Sequence, residues 1–182
     1  MKHLAIAVSL IAVASPSHAQ TPHGTIMLYS DDAYSNCNLT SDVGPRGVFV
    51  VHDFTNGATG SQFKIENVSA SGLSYLAELS DIQLTTGTSQ DGVSLDYGGC
   101  RSGTFLLITI TYWGNGSSPT CSRLEVVGDP ASPSGEVEIS PCSGQMLDHV
   151  GGALVVKGDS SCPCLSTPAE TRTWGAVKAF YD

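Results

Sequence analysis

The densest run of oxygen-bearing side chains in the sequence is Ser30 to Asn38 (SDDAYSNCN). Calcium takes carboxylates and amide carbonyls, so Asp31, Asp32 and Asn36 are candidate ligands. The run lacks the spaced acids and glycine of an EF-hand loop. Asp and Asn are also ordinary turn residues after a strand, and that plainer role is the one expected here. A second candidate is Tyr112-Trp113, where a strand runs into Gly114-Asn115-Gly116. An exposed aromatic on a sheet can stack on a sugar ring, and Tyr112 falls on the inward face, which leaves Trp113 to do so.

Other reactive residues do not assemble into local motifs. Past residue 19 the histidines are His23, His52 and His149, and none stands in an HxH, HxxxH or HExxH pattern. His52 and Asp53 are adjacent in a strand-like run, so their side chains point to opposite faces and cannot form a pair by adjacency. No serine sits in a GxSxG elbow. Cys162-Pro163-Cys164 has one residue between its thiols and no βαβ context, unlike dithiol redox motifs. No cofactor is expected.

The first 19 residues explain the chemistry of the rest. Lys2 and His3 precede an apolar run, Leu4 to Ala14, that is too short to span a bilayer, which takes about 20 residues. Ser17-His18-Ala19 then offers small residues to a signal peptidase. Residues 1–19 read as a cleaved signal peptide, and residues 20–182 as the mature β-domain. Export places it in the periplasm, at the cell surface or outside the cell. No later run is long enough for a membrane span. The mature chain keeps seven basic residues against seventeen acidic ones, which disfavours nucleic acid and anionic membranes as partners.

Three sequons, at Asn38, Asn67 and Asn115, matter only where N-glycans are made. The mature segment is a series of short β-type runs broken by Gly, Asn, Asp, Ser and Pro. Thr25–Tyr29 opens it. Gly47–Phe54, Gln62–Glu66, Leu73–Leu79, Ile82–Leu84, Gly92–Tyr97 and Thr104–Trp113 follow, then Arg123–Val127, Glu136–Ser140 and Ala153–Lys157. Leu106, Ile108, Ile110 and Tyr112 alternate with Thr109 and Thr111, which gives one apolar face. About nine strands with turn signals between them predict an all-β fold, a sandwich or barrel, and a single immunoglobulin-like β-sandwich is the one expected. Thr167 to Glu170 fits a capping box, and Trp174, Val177 and Tyr181 recur at helical spacing, so a short C-terminal helix or turn is expected.

All six cysteines lie in the mature part, and an even number after a signal peptide predicts disulfides. One pairing follows from register. A hairpin about Gly128–Gly135 places Val126 opposite Val137, and Leu124 opposite Ile139, all on one face. The same register puts Cys121 opposite Cys142, so these two are expected to pair. Cys37, Cys100, Cys162 and Cys164 would then pair among themselves. Glu125 opposite Glu138 is the one unfavourable feature of this register.

The segments Val50-Val51-His52, Ser61 to Glu66, Cys162-Pro-Cys164 and Thr173 to Tyr181 (TWGAVKAFY) carry a resemblance. With these motifs the chain resembles a group of exported bacterial proteins, which implies bacterial export and a sandwich domain. Gly57 to Glu66 (GATGSQFKIE) is also similar to a strand of cohesin-like modules. Neither likeness implies an activity. The function expected is therefore a non-catalytic exported sandwich with a binding or structural role at or outside the envelope, its partner a protein or a glycan. The alternatives are a secreted hydrolase with a site gathered from distant loops, and a carbohydrate-binding module using Trp113.

Overall fold

A computed structural model describes residues 23–144, 147–149 and 151–162. The expected signal peptide, Cys164 and the expected C-terminal helix lie outside these residues. The described residues form ten strands and no helix: β1 Thr25–Tyr29, β2 Asn38–Leu39, β3 Val43–Asn67, β4 Leu73–Ser80, β5 Leu84–Thr88, β6 Gly92–Asn115, β7 Ser122–Val127, β8 Val137–Pro141, β9 Leu147–His149 and β10 Ala153–Val156.

The chain is an all-β sandwich, as its alternation predicts. Two strands are far longer than the sequence suggests. Gly47–Phe54 and Gln62–Glu66 are halves of β3, and Gly92–Tyr97 and Thr104–Trp113 are halves of β6. Turn-type residues between the halves form bulges instead of turns, with register shifts at Val50/Val51, His52/Thr55, Thr55/Ala58 and Ala58/Gly60.

In the larger sheet β6 is central. It pairs with β3 on one side, and with β4 and β5 on the other. The far edge of β3 carries β1 and then β8, and β8 carries β9. Pro45 lies in β3 before β1 begins to pair, where its missing N–H costs no ladder bond. From Lys64 onward β3 leaves β6 and pairs with β7. The smaller sheet then runs β3–β7–β10–β2, with β2 parallel to β10.

The main core fills the space between the sheets. Ile26, Val48, Val50, Phe63, Ile108 and Ile110 of the larger sheet meet Leu124, Val126, Leu154 and Val156 of the smaller. Each such side chain contributes about 1.5 to 3 kcal/mol by leaving water. The strict alternation expected in β6 breaks at one place. Val50 pairs with Ile108 but Val51 with Leu106, so Leu107 is the extra residue of a bulge. Leu107 turns into the main core, and Leu106 faces the other way, into a second cluster.

The predicted hairpin is not formed. β7 belongs to the smaller sheet and β8 to the larger, and Gly128–Gly135 crosses from one to the other. Leu124, Val126, Val137 and Ile139 do share the core, but across the sandwich and not across a ladder. Alternation reports which residues point inward. It cannot tell a neighbour in the same sheet from one in the facing sheet. Glu125 and Glu138 accordingly never oppose each other.

The disulfides are corrected with the hairpin. Cys121 bonds Cys162, with Cα atoms 5.8 Å apart, and ties the start of β7 to the chain after β10. Cys100 bonds Cys142 at 5.4 Å. Cys37 is also disulfide-bonded. The grouping of Cys100 and Cys162 with Cys37 and Cys164 therefore fails. Cys100 lies in β6 and Cys142 just after β8, the strands that flank β3 on either side, since Ala58 pairs with both Arg101 and Pro141. Strands two places apart are normally separated by nearly 10 Å, so the bridge needs the bulges of β3 beneath it. Gly57 (φ 154°) lies under the bond, where a Cβ would come within 3.0 Å of the Cys142 sulfur.

Candidate binding face

One face of the larger sheet looks away from the core, and all the candidate residues except Tyr112 gather on it. Along β3 it carries Val43, Pro45, Gly47, Phe49, Val51 and Asp53. Trp113, Thr111 and Thr109 lie on it from β6, and Tyr29, Met27 and Thr25 from β1, by their pairing with these positions. The face has three parts.

At one end Trp113 is 52% exposed, between Pro45 and Ser74 in the ladder. Leu79 on β4 is 70% exposed, and Val43 and Leu76 are open to solvent nearby in sequence and register. Tyr112 points the other way. It is buried in the core, accepts a hydrogen bond from Gln90 at 3.1 Å, and burial pushes its hydroxyl up to about 12. Trp113 is thus the surface member of the pair, as alternation requires.

In the middle, the segment from Ser30 to Cys37 folds over the face. Met27, Tyr29, Cys37 and Val51 are buried there, with Tyr34, Phe49 and Leu106 against them. The oxygens of this loop serve the loop itself. The Asp31 carboxylate accepts from the Ser35 N–H at 2.9 Å and the Ser35 hydroxyl at 3.0 Å. The Ser35 backbone bond holds its carboxyl below the usual carboxylate range. The Asn36 side chain accepts from the Asn38 N–H. These are turn-forming bonds, so excess EDTA is expected to leave the melting temperature unchanged. A drop of several degrees that calcium reverses would make Asp31, Asp32 and Asn36 a metal site, because a ligand at a hundred times its Kd stabilises by about 2.7 kcal/mol.

At the other end is a cavity of about 350 Å³, lined by Tyr29, Ala33, Tyr34, Ser35, Asp53, Phe54 and Thr104. Asp53 forms its floor and is 5% exposed. The Tyr29 hydroxyl donates to Asp53 Oδ2 at 2.7 Å, and the Thr104 hydroxyl to Oδ1 at 2.6 Å. Thr104 in turn accepts from the Phe54 N–H. Two aromatic residues of the wall hold left-handed backbone angles, Tyr34 at φ 54° and Phe54 at φ 53°. Such angles cost an L-residue roughly 1–2 kcal/mol each.

The sequence reading missed this cavity. Its walls come from the end of β1, the loop after it, and two long strands whose bulges are not written in local pattern. One signal was present: a carboxylate, Asp53, inside the apolar run Gly47–Phe54. His52 does face away from Asp53. It lies inside the molecule, where its Nε2–H donates to the His23 carbonyl and its Nδ1 accepts from the Tyr97 hydroxyl, each at 3.0 Å. Burial pushes it down to about 4, so it is neutral and structural.

No protein-family profile matches the sequence, and no curated protein matches it. Two solved cohesin modules are similar in outline. One is the sixth cohesin of scaffoldin B from Acetivibrio cellulolyticus, solved with a mutant Cel5 dockerin, with 13% identity and a TM-score of 0.49 over 76% of this chain and 100% of that one. The other is a cohesin module of a family 33 glycoside hydrolase from Clostridium perfringens, with 6% identity and a TM-score of 0.49 over 75% and 98%.

Proposed function

We propose that the mature chain, from Gln20, is an exported, non-catalytic sandwich that binds a protein partner outside the cytoplasm through the outward face of its larger sheet. The observation that supports this is the exposed apolar group Trp113, Leu79, Leu76 and Val43 on a sheet already stapled by the Cys100–Cys142 disulfide. Exposed apolar patches of this kind mark interaction surfaces, and tryptophan is a residue type that dominates their energetics.

The test compares the oxidised mature domain with Trp113→Ala and Leu79→Asn variants against envelope proteins of the producing organism and a glycan array. Capture of a protein ligand is expected to weaken at least about tenfold in Trp113→Ala, which is the scale of an interface hot spot. The melting temperature should move by no more than a degree or two, because both side chains lie on the surface. Equal capture by the variants would remove the face from the proposal. A signal on glycans alone would replace the protein partner by a sugar stacked on Trp113.

A further inference from the structure

The cavity at the Asp53 end of the face has no role in that reading, and its chemistry is different. Its floor is a carboxylate that neither of the two ion pairs among the described residues includes; those are Arg123–Glu125 and Lys157–Asp42. A carboxylate has about four acceptor positions, and hydroxyl donors occupy two of those of Asp53. Its walls are aromatic. Tyr34 packs beside Tyr29 with ring centroids 6.1 Å apart, and Phe54 stands 63% exposed at the rim.

We propose that this cavity binds an alkylammonium group, a primary or quaternary ammonium seated among Tyr29, Tyr34 and Phe54 and over the Asp53 carboxylate. Aromatic faces attract cations through their negative quadrupole, and a desolvated carboxylate adds a full opposite charge. The local field is already negative. Burial, the bond to Asp53 and the nearby Asp31 together hold the Tyr29 hydroxyl well above its usual range, so the phenol stays protonated. A cation is the group that this field favours over a neutral one.

The strained wall fits the same reading. The Phe54 N–H is held by Thr104, whose own proton goes to Asp53. One hydroxyl therefore fixes both the aromatic rim and the charged floor. Similarly, the Asp31–Ser35 bonds set the turn from which Tyr34 reaches inward. The loop that offered a calcium ligand set is, in this reading, a wall of an organic-cation site.

Calorimetric titration of the oxidised mature protein tests it, with choline, Nα-acetyl-lysine methylamide, 3,3-dimethylbutanol and methyl glucoside as probes. Choline or the lysine derivative is expected to bind saturably, and which of them does separates a free quaternary cation from a lysine of a partner chain. The neutral isostere 3,3-dimethylbutanol should bind at least about tenfold more weakly than choline. Asp53→Asn should weaken cation binding by at least about tenfold. Phe54→Gly should do likewise with the fold retained, since glycine adopts the left-handed angle without steric strain. The proposal is overturned if neither cation saturates, if the neutral isostere matches choline, or if methyl glucoside alone binds. None of these results bears on Trp113, which lies at the opposite end of the face.

Discussion

Replacing Lys157 with methionine is expected to destabilise the protein by about 3 kcal/mol at neutral pH, lowering the melting temperature by roughly 10 °C. Lys157 follows β10, and its ammonium sits 2.9 Å from Oδ1 of Asp42, which is fully buried before β3. It also donates to the carbonyls of Gly116 and Ser118, and the Ser118 N–H donates to Asp42 Oδ2. One cation thus ties the smaller sheet to the turns at the end of the larger. Burial alone would raise the Asp42 carboxyl. The bonds from Lys157 and Ser118 outweigh it and hold the group well below the usual carboxylate range. A carboxyl depressed on folding adds stability above its unfolded value, about 3.9, and that stability fades as pH falls toward the folded value. In Lys157→Met the carboxylate stays buried without its cation, so it takes up a proton more readily. Urea titrations at pH 7 and pH 4 should show the gap between wild type and variant narrowing in acid. The double variant Asp42→Asn/Lys157→Met should recover part of the loss. A gap that is constant with pH would mean that the ion pair is incidental.

Peptide mapping without reductant is expected to return Cys100–Cys142 and Cys121–Cys162. The pairs are 42 and 41 residues apart in sequence, and a loop of that length corresponds to about 4 kcal/mol in the chain-entropy model. Replacing both members of either pair with serine should therefore lower stability by about that amount. The two bonds should differ in their response to mild reductant. Cys100 and Cys142 are both exposed, whereas Cys162 is buried, so the first bond is expected to open before the second. Recovery of a Cys121–Cys142 peptide from folded protein would contradict the sandwich connectivity itself.

The sandwich was legible because burial writes itself into alternation. Phe63 and Ile65 inward with Lys64 and Glu66 outward predict their faces without any knowledge of neighbours, and the structure places them so. What local pattern does not contain is the sheet partner. Val126 and Val137 look alike whether they meet across a ladder or across a core, and the hairpin reading chose the nearer option. Turn residues misled in the same way. Gly57, Gly60, Gly98 and Gly103 suggested strand ends, but long pairing partners carried β3 and β6 through them as bulges. The site was half legible. Trp113 was singled out by alternation, and the Asp31 loop by composition. The Asp53 cavity depends on residues from four separate segments, and only the fold brings them together.

The passage of Gly128–Gly135 between the sheets also bears on how the chain acquires its bonds. In an unfolded chain the likelihood of contact falls with the length of the loop to be closed. Cys121 and Cys142 are only about half as far apart in sequence as either native pair, and each belongs to a different native bond. Random oxidation therefore favours a bond that the finished sandwich forbids. The two native loops also overlap, so neither can close last without the other's strands already in place. An oxidant that acts before β3 has joined both sheets would lock in the wrong partner. The molecule matures cleanly only where thiol exchange outpaces oxidation, or where the sheets assemble first.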